Sequence, residues 1–190
     1  MFTYKANLEF PLFPKVFERT LIEIQRSQQR PLPHYFSGTG EFKIKKVPGY
    51  IHDWVKKNIC DDYVGLGVQS IEHGNFDPHI DGPNPEDGSE RHFSLLYIIE
   101  PGGNNISDPV TRFYKTKTQN TEVIEDTKRN RLFRREDVEI IAECQFKKYT
   151  WNLISNQCIH SVDNLLSTRI CLVLNFITPR PVSLTELGLL

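Results

Sequence analysis

From residue 63 onward the chain is dominated by short runs of β-branched and aromatic residues, and turn residues separate one run from the next. Runs of this length and composition predict β-strands. The predicted strands are YVGLGVQSI (63–71), HFSLLYIIE (92–100), TRFYKT (111–116), VEIIAEC (138–144), YTWNLI (149–154) and TRICLVLNFIT (168–178). Strands in such number, joined by turn-rich segments, favour antiparallel pairing in a sheet that closes into a barrel or a sandwich.

Two amphipathic segments precede these strands, at residues 14–29 and 48–60. In each segment apolar residues recur at helical spacings, while charged residues occupy the other face. The apolar positions are Val16, Phe17, Leu21 and Ile24 in the first segment and Ile51, Trp54, Val55 and Ile59 in the second. Helices followed by antiparallel strands predict an α+β protein whose helices pack on one outer face of the sheet.

The composition fits one globular domain. A chain of 190 residues buries roughly 70% of the surface that it exposes when unfolded. Hydrophobic residues make up 38% and charged residues 25%, which argues against extensive disorder. The net charge of −1 gives no general attraction to nucleic acid or to an anionic membrane, so neither partner is expected.

Neither the N-terminal segment nor the cysteines suggest an exported protein. No window reaches the roughly 18 apolar residues of a membrane span. The first residues also lack a basic segment followed by an apolar run. The four cysteines show no CxxC spacing, which favours reduced thiols over disulfides or a zinc site. We therefore expect a cytoplasmic protein, and the sequence does not indicate its oligomeric state.

The last predicted strand has two faces of different character. One face is uninterrupted and apolar and should pack beneath the helices: Ile170, Leu172, Leu174 and Phe176. The other should face the barrel interior: Arg169, Cys171, Val173 and Asn175. An arginine in a barrel interior is costly to bury unless an anion neutralises it. Arg169 is therefore a candidate ligand-binding residue.

A second unusual pattern is the triplet His79-Ile80-Asp81, at the edge of a proline- and glycine-rich loop. Alternate residues of a strand point to the same side, so His79 and Asp81 can face one cavity. His160, nine residues before Arg169, is the best third donor. Two imidazoles and one carboxylate form the facial triad of non-haem iron(II) oxygenases, which leaves coordination positions open for substrates. A hydrogen-bonded turn pair is the alternative explanation of His79 and Asp81 taken alone.

The order His79-Ile80-Asp81, His160 and Arg169 resembles the HxD…H…R pattern of the iron(II)/2-oxoglutarate-dependent dioxygenase superfamily. The order of the surrounding strands is similar to that of its prolyl-hydroxylase-like branch. This similarity covers roughly residues 63–178 and implies a double-stranded β-helix, a jelly-roll or cupin-like barrel, as the core of one dioxygenase domain over residues 1–190. Residues 1–62 would supply an N-terminal strand and the supporting helices, and 179–190 a C-terminal tail.

The resemblance also implies roles for single residues. His79, Asp81 and His160 would be the catalytic ligands of Fe(II), and Arg169 would pair with the C5 carboxylate of the co-substrate 2-oxoglutarate. Three inner-strand residues are expected to complete the co-substrate pocket: Gln69, Ser94 and Asn175. A tyrosine often assists 2-oxoglutarate in this branch. Tyr97 should face outward if Ser94 faces inward, which leaves that second contact unassigned.

The implied reaction also consumes O₂. It hydroxylates an unactivated C–H bond and releases succinate and CO₂. A prolyl or other peptidyl side chain is the first candidate substrate, and a free amino acid or another small molecule is the second. Arg91 and Arg112 are candidate contacts for an anionic part of the substrate, although both could be solvated charges at strand edges. The loop 82–91 beside the triplet is expected to shape the entrance to the site.

Two other classes of function stay open. A non-catalytic cupin-type module could bind a metal or a small acid in the same cavity without turnover. The run KRNRLFRR (128–135) has five basic residues and could contact nucleic acid. Acidic residues flank that run, however, and a solvated excursion between strands is the preferred interpretation.

Overall fold

A computed structural model gives the structure of this chain. It describes residues 4–6, 10–27, 35–37, 40–72, 74–83, 90–104, 109–119, 123, 125–126 and 130–176. The predicted tail 179–190 lies outside these residues, as do positions 84–89 of the predicted entrance loop and 128–129 of the basic run.

The described ranges contain two α-helices, a short 3₁₀ helix at Arg135–Asp137 and thirteen strands. The helices are α1 (Lys15–Arg26) and α2 (Gly49–Asn58). The strands are β1 (Tyr4–Ala6), β2 (Tyr35–Ser37), β3 (Gly40–Lys46), β4 (Gly65–Ile71), β5 (Gly74–Asp81), β6 (Phe93–Glu100), β7 (Val110–Thr116), β8 (Glu125–Asp126), β9 (Asn130–Leu132), β10 (Val138–Cys144), β11 (Trp151–Ser155), β12 (Ile159–Leu165) and β13 (Arg169–Phe176).

The strands form two antiparallel sheets. The larger sheet has seven strands in the order β1-β11-β6-β13-β4-β3-β2, and the smaller has six in the order β10-β7-β12-β5-β9-β8. From β4 to β7 the chain alternates between the two sheets, and from β10 to β13 it alternates again. This alternation makes the fold a double-stranded β-helix, or jelly roll, in which two sheets face each other across one interior.

Both helices cover the outer face of the larger sheet, as the sequence predicts. One apolar cluster joins α1 and α2 to the predicted apolar face of β13, whose members Ile170, Leu172, Leu174 and Phe176 are all buried. Tyr97 on β6 faces the same side, and its hydroxyl donates a hydrogen bond to Glu18 Oε1 at 2.7 Å. The predictions for the β13 faces and for the outward orientation of Tyr97 are confirmed.

The end of α1 is fixed to β3 by a buried lysine. Lys45 Nζ donates hydrogen bonds of 2.8–3.0 Å to the carbonyls of Ile24, Gln25 and Ser27, at the helix C-terminus. A cation there satisfies carbonyls that have no partner within the helix and complements the helix dipole. The prediction for Val16 is wrong, because this residue is 64% exposed and faces away from the sheet.

Two further observations concern the cysteines and the helices. None of the four cysteines, all of which lie in the described ranges, forms a disulfide. Within the described ranges, neither helix has the length and apolar character needed to cross a bilayer.

Candidate metal centre and ligand cavity

Three predicted metal-binding side chains meet at one point on the smaller sheet. β5 and β12 are antiparallel neighbours in which His79 lies opposite His160, and Asp81 ends β5. Each residue offers one ligand atom, and the three atoms lie within 4.8 Å of one another. The His79 and His160 ring centroids are 4.4 Å apart, and His79 Nε2 lies 3.6 Å from Asp81 Oδ1. This geometry is compatible with a facial triad around one ion.

Backbone carbonyls select the imidazole tautomer that a metal requires. His79 Nδ1 lies 2.7 Å from the Asp77 carbonyl, and His160 Nδ1 lies 2.9 Å from the Cys158 carbonyl. Because a carbonyl only accepts, each Nδ1 donates, which in a neutral imidazole leaves the lone pair on Nε2. Burial, followed by the proximity of His160, lowers the pKa of His79 to about 4. The His79 imidazole is therefore neutral at pH 7.

The carboxylate of the cluster is ionised at the same pH. Burial by itself would raise the pKa of Asp81, but the positive charge of Arg91, followed by the proximity of His160 and His79, outweighs burial and lowers the pKa. Arg91 is held beside the cluster because its Nε and Nη2 both donate to the Gly82 carbonyl, at 3.0 and 2.8 Å. One carboxylate and two imidazole nitrogens are a suitable donor set for a divalent transition metal.

Arg169, the first residue of β13, is 3% exposed. Its Nε donates to the Pro101 carbonyl and its Nη1 to Thr111 Oγ1, both at 3.3 Å, and its guanidinium lies over the Phe146 ring. Nη2 has no hydrogen-bond partner within the described part of the chain. Burial lowers the pKa of Arg169. A buried donor without a partner is costly, so this position favours a bound anion.

One cavity of about 110 Å³ connects the cluster of His79, Asp81 and His160 with Arg169. Roughly 10–15 Å³ suffices for one water molecule, so this cavity is large enough for a small organic acid. It is enclosed by both sheets, with the two histidines and Asp81 on the smaller sheet and Arg169 on the larger.

The cavity has a closed end and an open end. Arg169 pairs with Ile71 at one end of β4, whereas Asn175 pairs with Gly65 at the other. At the Arg169 end, Arg169 and Thr111 are buried. At the Gly65 end, Arg91 is half-buried and Lys46 is exposed. The mouth therefore lies at the Gly65 end.

The residues predicted for the co-substrate pocket all line this cavity: Gln69, Ser94 and Asn175. Ser94 Oγ donates to Asn175 Oδ1 at 2.7 Å and accepts from Asn156 Nδ2 at 2.9 Å. Gln69 Oε1 accepts from the Cys171 thiol at 3.5 Å. The structure thus brings these side chains to the interior, and their roles toward a co-substrate stay predictions.

The two arginines predicted for substrate contact lie in different places. Arg91 lines the cavity. Arg112 is not among the described lining residues, and its guanidinium pairs with Glu143 at 2.6 Å and with Asp163 at 3.0 Å. Its strand neighbour Thr111 points inward instead, because adjacent residues of a strand face opposite sides. The position of Arg112 therefore gives no support to a substrate contact.

Part of the basic run belongs to the smaller sheet. β9 pairs with β5, placing Leu132 opposite His79, and the short β8 continues the sheet. Arg135 follows and binds the buried Asp163 carboxylate at 2.6 Å. The described part of the basic run therefore contains a strand of the smaller sheet and an ion pair between Arg135 and Asp163. Both features fit a structural role for the run.

The lining residues that the sequence did not predict include Lys46, Thr111 and Phe146. Thr111 could have been found, since it alternates with Arg112 in a predicted strand. Lys46 lies on a strand that the sequence did not predict. Phe146 lies in the β10–β11 connection, which strand periodicity does not describe.

Comparison with known proteins identifies the fold of this chain but assigns it to no family. A prolyl hydroxylase from Trichoplax adhaerens, solved with a hypoxia inducible factor oxygen degradation domain peptide fragment, superposes with a TM-score of 0.54 and 12% identity. That match covers 92% of this chain and 83% of the other. A Pseudomonas putida prolyl-4-hydroxylase gives a TM-score of 0.51 and 10% identity, with 93% of each chain covered.

No family model and no curated protein sequence matches this chain. At identities of 10–12% the two structural matches show the fold alone. The predicted fold class is confirmed: this chain has the jelly-roll fold that is also found in these two prolyl hydroxylases.

Proposed function

We infer that this protein is an iron(II)- and 2-oxoglutarate-dependent oxygenase that hydroxylates an unactivated C–H bond. The proposal depends on Arg169, whose buried Nη2 has no partner among the described residues, in the same cavity as a His-Asp-His cluster. A metal site alone fits many proteins, and a buried arginine alone could be structural. Together they fit one small ligand that chelates a metal at one end and offers a carboxylate at the other.

The described residues provide a position for each group. Nε2 of His79 and of His160 and a carboxylate oxygen of Asp81 would hold Fe(II). Arg169, with Thr111 beside it, would bind the far carboxylate of 2-oxoglutarate through the unpartnered Nη2. When bound, these groups supply the oxidation: one atom of O₂ enters succinate as CO₂ leaves 2-oxoglutarate, and the other enters the substrate C–H bond.

The protein's own contribution is orientation and exclusion of water. The carbonyls of Asp77 and Cys158 fix both imidazole rings, so that the Nε2 atom of each ring is held in one orientation. Apolar side chains on the inner faces of three strands line the cavity between the sheets and restrict water: Leu96, Ile154 and Val173. Gln69, Ser94 and Asn175 are proposed to complete the co-substrate pocket. The similarity in fold to two prolyl hydroxylases supports a prolyl or other peptidyl side chain as first candidate substrate, with a free amino acid second.

Succinate formation tests this proposal. Protein reconstituted with Fe(II) without oxygen, then supplied with 2-oxoglutarate and O₂, should produce succinate and CO₂ in equal amounts even without substrate. Asp81→Ala and His160→Ala should abolish this turnover. The matched control is His52→Ala, since His52 bonds to Tyr63 outside the cavity.

The outcomes separate the two classes of function. Equal turnover in the Asp81→Ala and His160→Ala variants and the parent would refute the oxygenase assignment. Binding of metal and of 2-oxoglutarate without any succinate would instead support the non-catalytic cupin-type module.

A further inference from the structure

We propose that Asn156 is a positioning residue of the proposed metal centre, which holds Asp81 and His160 in place through the connection between β11 and β12. This inference rests on the proposed function only for the metal site itself, the binding of a divalent ion by His79, Asp81 and His160. The supporting observation is a set of hydrogen bonds through which Asn156 joins the two sheets beside Asp81.

The ladder between β5 and β12 ends before it reaches Asp81. β12 begins at Ile159, and His79 lies opposite His160 in that ladder. Asp81, two residues after His79, therefore lies beyond the start of β12. Its N–H donates instead to the Asn156 carbonyl, at 3.2 Å. On this side of β5, the backbone of Asp81 is thus held by Asn156.

Asn156 also connects this point to the larger sheet. The residue is fully buried. Its N–H donates to the His92 carbonyl at 2.8 Å, and its Nδ2 donates to Ser94 Oγ on β6 at 2.9 Å. One residue therefore joins the end of β5 in the smaller sheet to β6 in the larger. The side-chain bond to Ser94 is the part of this link that a substitution can remove.

The same connection orients a second proposed ligand. β11 ends at Ser155 and β12 begins at Ile159, so the connection consists of residues 156–158. The Cys158 carbonyl accepts the hydrogen bond from His160 Nδ1. A shift of this short connection would consequently disturb Asp81 and His160 together. Groups that orient metal ligands in this way typically contribute roughly 10- to 100-fold to metal affinity.

Asn152 on β11 provides a matched control. Both asparagines are fully buried, and in both the Oδ1 atom has no hydrogen-bond partner within the described residues. The Asn152 amide donates to Thr150, two residues away, instead of bridging the sheets. A substitution at Asn152 therefore reproduces the loss of a buried amide without touching the connection that holds the ligands.

Mn(II) binding tests the inference without 2-oxoglutarate and without turnover. Calorimetry on the folded proteins should show that Asn156→Leu binds Mn(II) about tenfold more weakly than the parent. Asn152→Leu should keep the Mn(II) affinity of the parent, although thermal unfolding should show a similar change of Tm in both variants. The electron paramagnetic resonance spectrum of bound Mn(II), which reports the arrangement of its ligands, should change in Asn156→Leu and not in Asn152→Leu.

Ser94→Ala tests the same link if Asn156→Leu does not fold, because it removes the acceptor and leaves the connection intact. It should also weaken Mn(II) binding. The double variant should bind Mn(II) no more weakly than Asn156→Leu, since two residues that act through one bond are not additive. Parent-like Mn(II) affinity in Asn156→Leu or Ser94→Ala, or an equal loss in Asn152→Leu, would overturn the inference. Absence of Mn(II) binding in the parent itself would overturn the proposed metal site, and the role of Asn156 with it.

Discussion

The guanidinium of Arg169 has features that a purely structural arginine would not need. It makes two long hydrogen bonds of 3.3 Å, and no carboxylate within the described ranges lies at ion-pair distance. A buried charge in such surroundings destabilises the fold unless a ligand compensates it. Arginine rather than lysine suits this role, because a planar fork of donors matches a carboxylate.

This account predicts opposite effects of Arg169→Met on stability and on binding. The ligand-free variant should be as stable as the parent or more stable, by about 1–2 kcal/mol, since an uncompensated buried charge is removed. Affinity for 2-oxoglutarate should fall by more than about tenfold, with Mn(II) binding unchanged. Urea unfolding and calorimetry measure the two quantities. A large loss of stability combined with unchanged 2-oxoglutarate affinity would show that Arg169 is structural.

At the scale of single residues, strand parity was sufficient for much of the site. The two-residue spacing of His79 and Asp81, together with the parity of Arg169 in β13, correctly predicted which side chains share the cavity. Strand parity cannot predict the contacts that side chains make with backbone groups. The carbonyls that fix the imidazole tautomers belong to Asp77 and Cys158, and only the local strand geometry brings them to Nδ1.

At the scale of elements, the sequence predicted strands correctly where one face of the strand is apolar. The predicted strand 138–144 coincides with β10. β12, with the sequence IHSVDNL, was not predicted, because its buried polar residues hide the alternation. Ser161 and Asp163 bond to Tyr114 and to two arginines, and these partners come from distant segments. β3 was not predicted either, since its buried Lys45 faces α1 rather than solvent.

Tyr97 and Glu18 form a buried polar pair in the contact between α1 and the larger sheet. Burial, followed by the hydrogen bond to Glu18, raises the pKa of Tyr97, so the phenol remains a donor at neutral pH. Tyr97→Phe should reduce the free energy of unfolding by about 1–3 kcal/mol, because the Glu18 carboxylate would lose its donor. Tyr50→Phe is the control, since Tyr50 is 48% exposed and its hydroxyl makes only a long 3.4 Å bond to Thr20. Equal effects of the two substitutions in urea unfolding would argue that the buried hydrogen bond adds nothing.

At the scale of the whole molecule, the proposed ligands would bridge the two facing sheets. The proposed metal ligands lie on β5 and β12 of the smaller sheet, while Arg169 lies on β13 of the larger. A molecule of 2-oxoglutarate that chelates the metal and reaches Arg169 would contact both sheets at once. Its affinity should therefore depend on the metal, and by thermodynamic reciprocity the metal's affinity should depend on it.

Thermal unfolding measures this coupling. Mn(II) at about 100 times its Kd should stabilise the native state by roughly 2.7 kcal/mol and raise the Tm. 2-Oxoglutarate added to the metal-loaded protein should raise the Tm further, and it should have a much smaller effect without metal, because half of its contacts would be missing. Removal of the metal by a chelator should reverse both increases. In His79→Ala the metal-dependent rise should disappear, whereas in Arg169→Met it should persist without the additional rise from 2-oxoglutarate. Independent, additive effects of the two ligands would place 2-oxoglutarate away from the metal and contradict the bridge between the sheets.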